Sequence, residues 1–347
     1  MKRMRLAGFA AAGILASAVL ASPVSAAEIK FATYVPPAHG VAKFFETTLK
    51  DIAAKSNGAI TIAYFPGAQL GAPPKYYEMA HRGQADITWF LHGNTPGIFP
   101  LSEIGTLPLL MGSAEIGTKV LNEPALRDKY LKKEHDGLHI INLHTHQPAN
   151  VYTAKKAIRK AEEFKGLRLR VPSGPIRDMA IALGATPDGM PPTEWVEAMQ
   201  RGTIDGVFTD YGGAGIAFNI GPVTKYATEL YVYVGTFCLC MNQGSYDGLP
   251  ANVRKLLDDT FTAKMPQSGI EFDKLDDAGK KKMMSEGTQP IVLAPDELKK
   301  IRAVAEKVAN DTVEALQKKG LPAREVHKLM KELSDKHAKT SRNFWSS

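Results

Sequence analysis

Lys165-Gly166-Leu167-Arg168-Leu169-Arg170-Val171-Pro172 decides how the chain is read. Leu167, Leu169 and Val171 alternate with Arg168 and Arg170, the period of two expected of a strand with one buried face. The two arginines therefore share a face. Pro172 cannot extend a hydrogen-bonded ladder and ends the strand; Ile176 to Leu183 then reads as a helix closed by Gly184. This places Arg170 at the carboxyl end of an α/β strand, the edge where such sheets bind ligands. Arginine presents a planar fork that matches a carboxylate through two parallel charge-assisted bonds. Two solvated arginines on an edge strand would give the same pattern.

The surroundings repeat the theme. Downstream, Glu194 to Gln200 reads as a helix closed by Gly202, and Asp205 to Thr209 as a strand. Upstream, Leu138 to Leu143 and Val151 to Ala154 are strand-like. Nearer the N-terminus come a strand (Glu28 to Val35), an amphipathic helix (Val41 to Ser56), a strand (Ala59 to Phe65), a short helix from Pro73 to Gly83 and a strand (Ala85 to Trp89). Strands and helices alternating over short loops make an α/β protein. Tyr231 to Met241 reads as a long buried strand crossing between two such units. Beyond it only helices are predicted, over 252–264, 270–285, 295–319 and 323–338.

The chain of 347 residues, 44% hydrophobic and 23% charged, has ordinary globular composition and room for two domains. The net charge of +7 is spread along the chain rather than gathered into a stripe, which argues against a nucleic-acid partner. Lys2, Arg3 and Arg5 precede an apolar run from Leu6 to Leu20, and Val24-Ser25-Ala26 precedes Ala27: a secretory signal over 1–26. That run is too short to span a bilayer, and no later run matches it, so an exported protein without membrane insertion is expected. Export permits disulfides. The two cysteines, Cys238 and Cys240, are nevertheless expected as small buried hydrophobes, since bridging neighbours on one strand face strains the bond.

Enzyme signatures are missing. The sequence has no G-x-S-x-G, no G-x-x-x-x-G-K-[ST] and no H-E-x-x-H. Gly212 to Gly215 lacks the third glycine of a phosphate loop. His146 or Asp210 offers a base, but no nucleophile accompanies either, so no catalytic residue is assigned and an exported enzyme is the weaker alternative. His144-Thr145-His146, with His92, His135 and His139, is the zinc alternative; without a histidine-rich or acidic loop, no metal or other cofactor is assigned. Trp89, Phe90, Tyr34, Tyr211 and Phe237 are placed to give a cleft aromatic walls, and His39 follows the Pro36-Pro37 break as a loop residue facing it.

Several motifs occur together in one order: Tyr34 closing the first strand, Ser56-Asn57-Gly58, Phe65-Pro66-Gly67-Ala68-Gln69-Leu70-Gly71, Gly83-Gln84-Ala85-Asp86-Ile87, Leu107-Pro108, Lys165 to Pro172, Ala198 to Gly206, and Leu249-Pro250. Together they resemble the dicarboxylate-receptor (DctP) type of solute-binding protein of TRAP (tripartite ATP-independent periplasmic) transporters. The resemblance implies a two-lobed α/β periplasmic-binding-protein fold, with a hinge and a long C-terminal helix bracing both lobes. Lobe I would comprise 27–147 with about 237–276, and lobe II 148–236 with about 277–347. It implies a periplasmic receptor that binds a small carboxylate in the cleft and passes it to a small and a large membrane subunit driven by an ion gradient. Arg170 matches the family arginine that pairs with the ligand; Arg168 is expected to be structural. Two positions depart from the pattern. Asn150 stands where the sialic-acid type has a second arginine, and Thr209, before Asp210, replaces an asparagine that helps hold the ligand. Both losses favour a monocarboxylate with an apolar or aromatic body, or a keto acid, over a C4-dicarboxylate, because a second charge left unpaired in a closed cleft is costly.

Overall fold

The computed structural model of the protein describes residues 26–172 and 174–345; the signal assigned to 1–26 lies outside these but for Ala26. The described strands are β1 (Ala27–Ala32), β2 (Ile60–Phe65), β3 (Ile87–Leu91), β4 (Leu138–Thr145), β5 (Asn150–Thr153), β6 (Arg168–Arg170), β7 (Thr186–Asp188), β8 (Gly206–Thr209), β9 (Tyr226–Glu229), β10 (Thr236–Asn242) and β11 (Gln289–Val292). They form two mixed sheets, ordered β2-β1-β3-β10-β4 and β11-β9-β5-β8-β6-β7. In the first, β1 pairs in parallel with β2 and β3, while β10 runs antiparallel between β3 and β4. In the second, β6 lies parallel to both β7 and β8. The carboxyl ends of β1 and β3 thus face the cleft from one side and those of β6 and β8 from the other.

Each sheet is covered by helices whose apolar stripe the sequence displays. Helix Gly40–Lys55 buries Val41, Phe45, Leu49 and Ile52 against the first sheet, at the spacing of one helical face. Two adjacent segments join the sheets. Ala149 N–H donates to Tyr233 O and Val232 N–H donates to Ala149 O across them, and Leu109 N–H also donates to Val232 O. The run at 231–235 is therefore a crossing segment, and the strand proper begins at Thr236.

Helix Met265–Ser285 spans both units, and it does so through glycines. A Cβ on Gly269 would run into the Ala114–Glu115 backbone beside the first sheet; one on Gly279 would strike the Tyr211–Gly212 backbone beside the second. Helix Pro295–Lys318 buries Ile301, Ala305 and Val308 in the core of the second unit and Ala309 and Val313 in that of the first, to which Ala323, Val326, Met330 and Leu333 of helix Ala323–Ala338 also return.

Two expectations are corrected. The C-terminal part is not purely helical, because β11 pairs in parallel with β9, and neither four-residue strand was predicted. Cys238 and Cys240 are joined in a disulfide rather than standing as free thiols. Opposite Leu239 and Cys240 the β4 register shifts, and the two cysteine Cα atoms stand 5.4 Å apart, within the ordinary range for a bridge. No helix among the described residues is long and apolar enough to cross a membrane.

Candidate functional site

A cavity of about 60 Å³ lies between the two sheets. Its first wall is built from Tyr34 and Val35 after β1, His39 at the start of helix Gly40–Lys55, Trp89 and Leu91 of β3, Phe237 of β10 and Phe272 of helix Met265–Ser285. Its second wall holds Arg170 at the end of β6, Trp195 opening helix Trp195–Arg201, Thr209 and Asp210 at the end of β8, and Tyr233 of the crossing segment. Arg170, Asn94, Pro172 and Pro192 also line an adjoining recess of about 400 Å³ that carries Arg177.

Arg168 and Arg170 leave the same strand face for opposite fates. Arg168 is half exposed and paired with Asp205, Nη2 to Oδ1 at 2.9 Å and Nε to Oδ2 at 3.1 Å. Arg170 is 5% exposed, and among the described residues it forms no ion pair. Its Nε donates to Met190 O at 3.2 Å and its guanidinium sits 4.4 Å from the Trp195 ring centroid, which fixes the plane of the fork. Burial lowers its pKa to about 10, so it stays charged at neutral pH. A buried, unpaired guanidinium held in position is incomplete without an anion.

Several of the other polar groups are satisfied within the protein, whereas His39 Nδ1 and Trp89 Nε1 are buried without a partner. Tyr233 Oη donates to Phe208 O at 3.2 Å. Asp210 accepts from Thr209 Oγ1 at 3.2 Å and Gly213 N at 2.9 Å, and His146 Nδ1 stands 3.8 Å from it. Burial, then the charge of Asp210, pushes the neighbouring Asp276 carboxyl well above the usual range; it accepts the Tyr211 and Gly212 N–H groups. Burial pushes the Tyr34 phenol up, opposed by the Arg170 charge, and lowers His39 to about 4.

Of the residues singled out in the sequence, Arg170, Trp89, Tyr34, His39, Thr209, Asp210 and Phe237 line this one cavity. Asn150, Tyr211 and Phe90 do not. Asn150 Oδ1 accepts the N–H groups of Leu230 and Tyr231, holding the crossing segment where Tyr231 takes a positive φ of 48°. Tyr211 is turned into the second unit, its hydroxyl donating to Glu229. Phe90 points to the far side of β3, against Phe99 and His92.

Trp195, Tyr233 and Phe272 were missed. Each reads locally as an ordinary core residue, and only Trp195, after the Pro191-Pro192 break, carries a loop signal comparable to that of His39. The two histidines of the zinc alternative do not make a ligand pair: His146 is bonded at both ring nitrogens, to Gln147 O and Gly235 N, while His144 faces Asn142 Oδ1 through Nδ1, stacks on Phe237 and has only Nε2 without a partner. The group with metal-ligand spacing among the described residues is His135 with Cys238 and Cys240, whose sulfurs are already joined.

The chain matches the family model of bacterial extracellular solute-binding protein, family 7 (DctP), over residues 31–315. It belongs to that family, and is a TRAP-type solute-binding protein. A C4-dicarboxylate-binding periplasmic protein of Rhodobacter capsulatus is 27% identical over 236 residues, 65% of this chain and 68% of that one. Among solved structures, a marine-metagenome TRAP protein specific for aromatic acid ligands, bound to metahydroxyphenylacetate, matches with TM-score 0.84 and 28% identity over 89% of this chain and 99% of that one. A TRAP protein from Rhodoferax ferrireducens with copurified benzoate matches with TM-score 0.84 and 27% identity over 91% and 99%.

Proposed function

We propose that this chain is the receptor for an aromatic monocarboxylate. The observation that carries the reading is Arg170: one buried, unpaired guanidinium in a cavity whose other walls are Tyr34, Trp89, Phe237, Phe272 and Trp195. The carboxylate would bind the fork, and the ring would lie among the aromatic side chains, where offset or edge contacts add to simple burial. A C4-dicarboxylate fits this arrangement poorly. Its second carboxylate would meet Asp210 and no second arginine or lysine in the cavity lining.

At about 60 Å³ the cavity is smaller than the ~150 Å³ that takes up benzene. Binding a ring therefore requires its walls to part. We read the two walls as lobes, 27–147 with 237–276 and 148–236 with 277–347, the last helix returning to the first, that open about the crossing segments and close on the ligand. The ligand contributes to both lobes and so favours the closed state. That state would be presented to a small and a large membrane subunit for ion-gradient-driven uptake, by a protein that becomes periplasmic when residues 1–26 are removed. The receptor does no chemistry on its ligand.

A thermal-shift and calorimetric screen of the mature protein tests the reading. Benzoate or a phenylacetate should raise the melting temperature, while succinate, malate and zinc should not. Stabilisation by C4-dicarboxylates alone would keep the receptor and overturn the ligand class.

A further inference from the structure

Three ring nitrogens around Trp89 are buried without a hydrogen-bond partner: His39 Nδ1, Trp89 Nε1 and His144 Nε2. The His39 and His144 rings lie 5.2 and 5.8 Å from that of Trp89. His39 and Trp89 line the cavity, and His144 stacks on Phe237, which also lines it. Leaving buried polar atoms unpaired is costly, and phenylalanine would fill the same space without that cost. The mechanism of carboxylate capture by Arg170 uses none of them.

Their chemistry restricts what can complete them. An indole N–H only donates, whereas a neutral imidazole offers one donor and one acceptor. Burial holds His39 neutral at ordinary pH. A hydroxyl oxygen can accept from Trp89 Nε1 and pass its own proton into a bond to His39 Nδ1. A carboxylate could accept from both nitrogens in the other imidazole tautomer, but the charge of Asp210, close enough to act on His39, would repel it. A methyl or halogen would leave the nitrogens unpaired.

We infer that Trp89 and His39 form a subsite for a ring hydroxyl, so that the ligand held by Arg170 is a hydroxylated aromatic monocarboxylate. The inference rests on the aromatic-acid reading above and narrows it. The 28%-identical marine receptor was crystallised with metahydroxyphenylacetate and with 3-hydroxybenzoate, whereas the Rhodoferax protein holds plain benzoate. A trapped water is the competing occupant, and it entails no preference between the plain and the hydroxylated ring.

Calorimetry on the mature protein with benzoate, 3-hydroxybenzoate and 4-hydroxybenzoate decides between them. In the natural sequence one hydroxylated acid should bind at least about tenfold more tightly than benzoate. In both Trp89→Phe and His39→Phe that ratio should fall to within about threefold, whatever happens to absolute affinity. His39→Phe keeps the ring contacts with Trp89 and Phe272 and removes no capping bond, so it remains informative if Trp89→Phe fails to fold. Tight benzoate binding with no hydroxyl preference overturns the subsite and leaves the aromatic-acid receptor standing. A preference that survives His39→Phe also overturns it. Failure of all three acids to bind overturns both readings.

Discussion

Arg170 and Trp195 form the positioning unit of the cleft: the guanidinium lies 4.4 Å from the indole centroid, and Arg170 Nε and Trp195 Nε1 both donate to the carbonyl of Met190, at 3.2 and 3.4 Å. One carbonyl thus anchors both planes, and among the described residues no carboxylate pairs with the fork.

Arg170→Lys should therefore lose ligand affinity nearly as completely as Arg170→Ala, by about 100-fold or more, because a point charge cannot make two parallel bonds or stack on Trp195. Circular dichroism should show a retained fold. Near-native affinity of the lysine variant in calorimetry would remove Arg170 from the site.

Arg168→Ala makes the opposite case. Its partner Asp205 is partly exposed and the pair faces solvent, so ligand affinity should stay within about threefold and the melting temperature should move little. A large loss of affinity would mean that the two arginines act as a unit.

Asp273 offers a pH-dependent readout. Burial raises its carboxyl to about 7, while it accepts from Ala114 N–H and Gln147 Nε2. A raised folded-state pKa gives stability that is present below the unfolded value of 3.8 and is lost as pH rises toward 7. Glu103 and Glu134, also raised to about 7, act in the same direction, whereas His39 and His135, lowered to about 4, lose stability as pH falls below 6.5. The two sets oppose each other across mildly acidic pH, so the single-residue difference is the clean measurement. The melting temperature of Asp273→Asn minus that of the natural protein should grow between pH 5 and pH 8; a flat difference would refute the assignment.

Gly279→Ala should destabilise the protein by about 1–3 kcal/mol. The added methyl would strike the Tyr211–Gly212 backbone, which has no flexible end to give way. Gly287→Ala is a useful control for backbone strain alone, since that glycine has a φ of 97° but open space around its missing Cβ. Equal melting temperatures for the Gly279 variant and the natural protein would show that the long helix does not press on the second unit.

The strand through Arg170 and helix Gly40–Lys55 were legible because each carries its own period: two before Pro172, and 3.6 along Val41, Phe45, Leu49 and Ile52. β9 and β11 carry none. Tyr-Ala-Thr-Glu and Gln-Pro-Ile-Val become strands only by pairing with each other across some sixty residues of chain. The cleft divides in the same way. Arg170 could be singled out because its position before a proline at a strand end is a local fact. Trp195 could not, because its role depends on its ring being packed against Arg170, which comes from a different element earlier in the chain.

By itself, then, the sequence determined the α/β alternation, the arginine at a strand terminus and the aromatic residues available to a cleft, since these follow from side-chain period and backbone stops within a few residues. Tertiary structure alone decided that Arg168 is paired with Asp205 while Arg170 is not, that Asn150 holds the crossing segment and does not line the cavity, and that Tyr211 faces away. Those outcomes depend on which groups distant in the chain are brought within hydrogen-bond distance, and no local pattern encodes that.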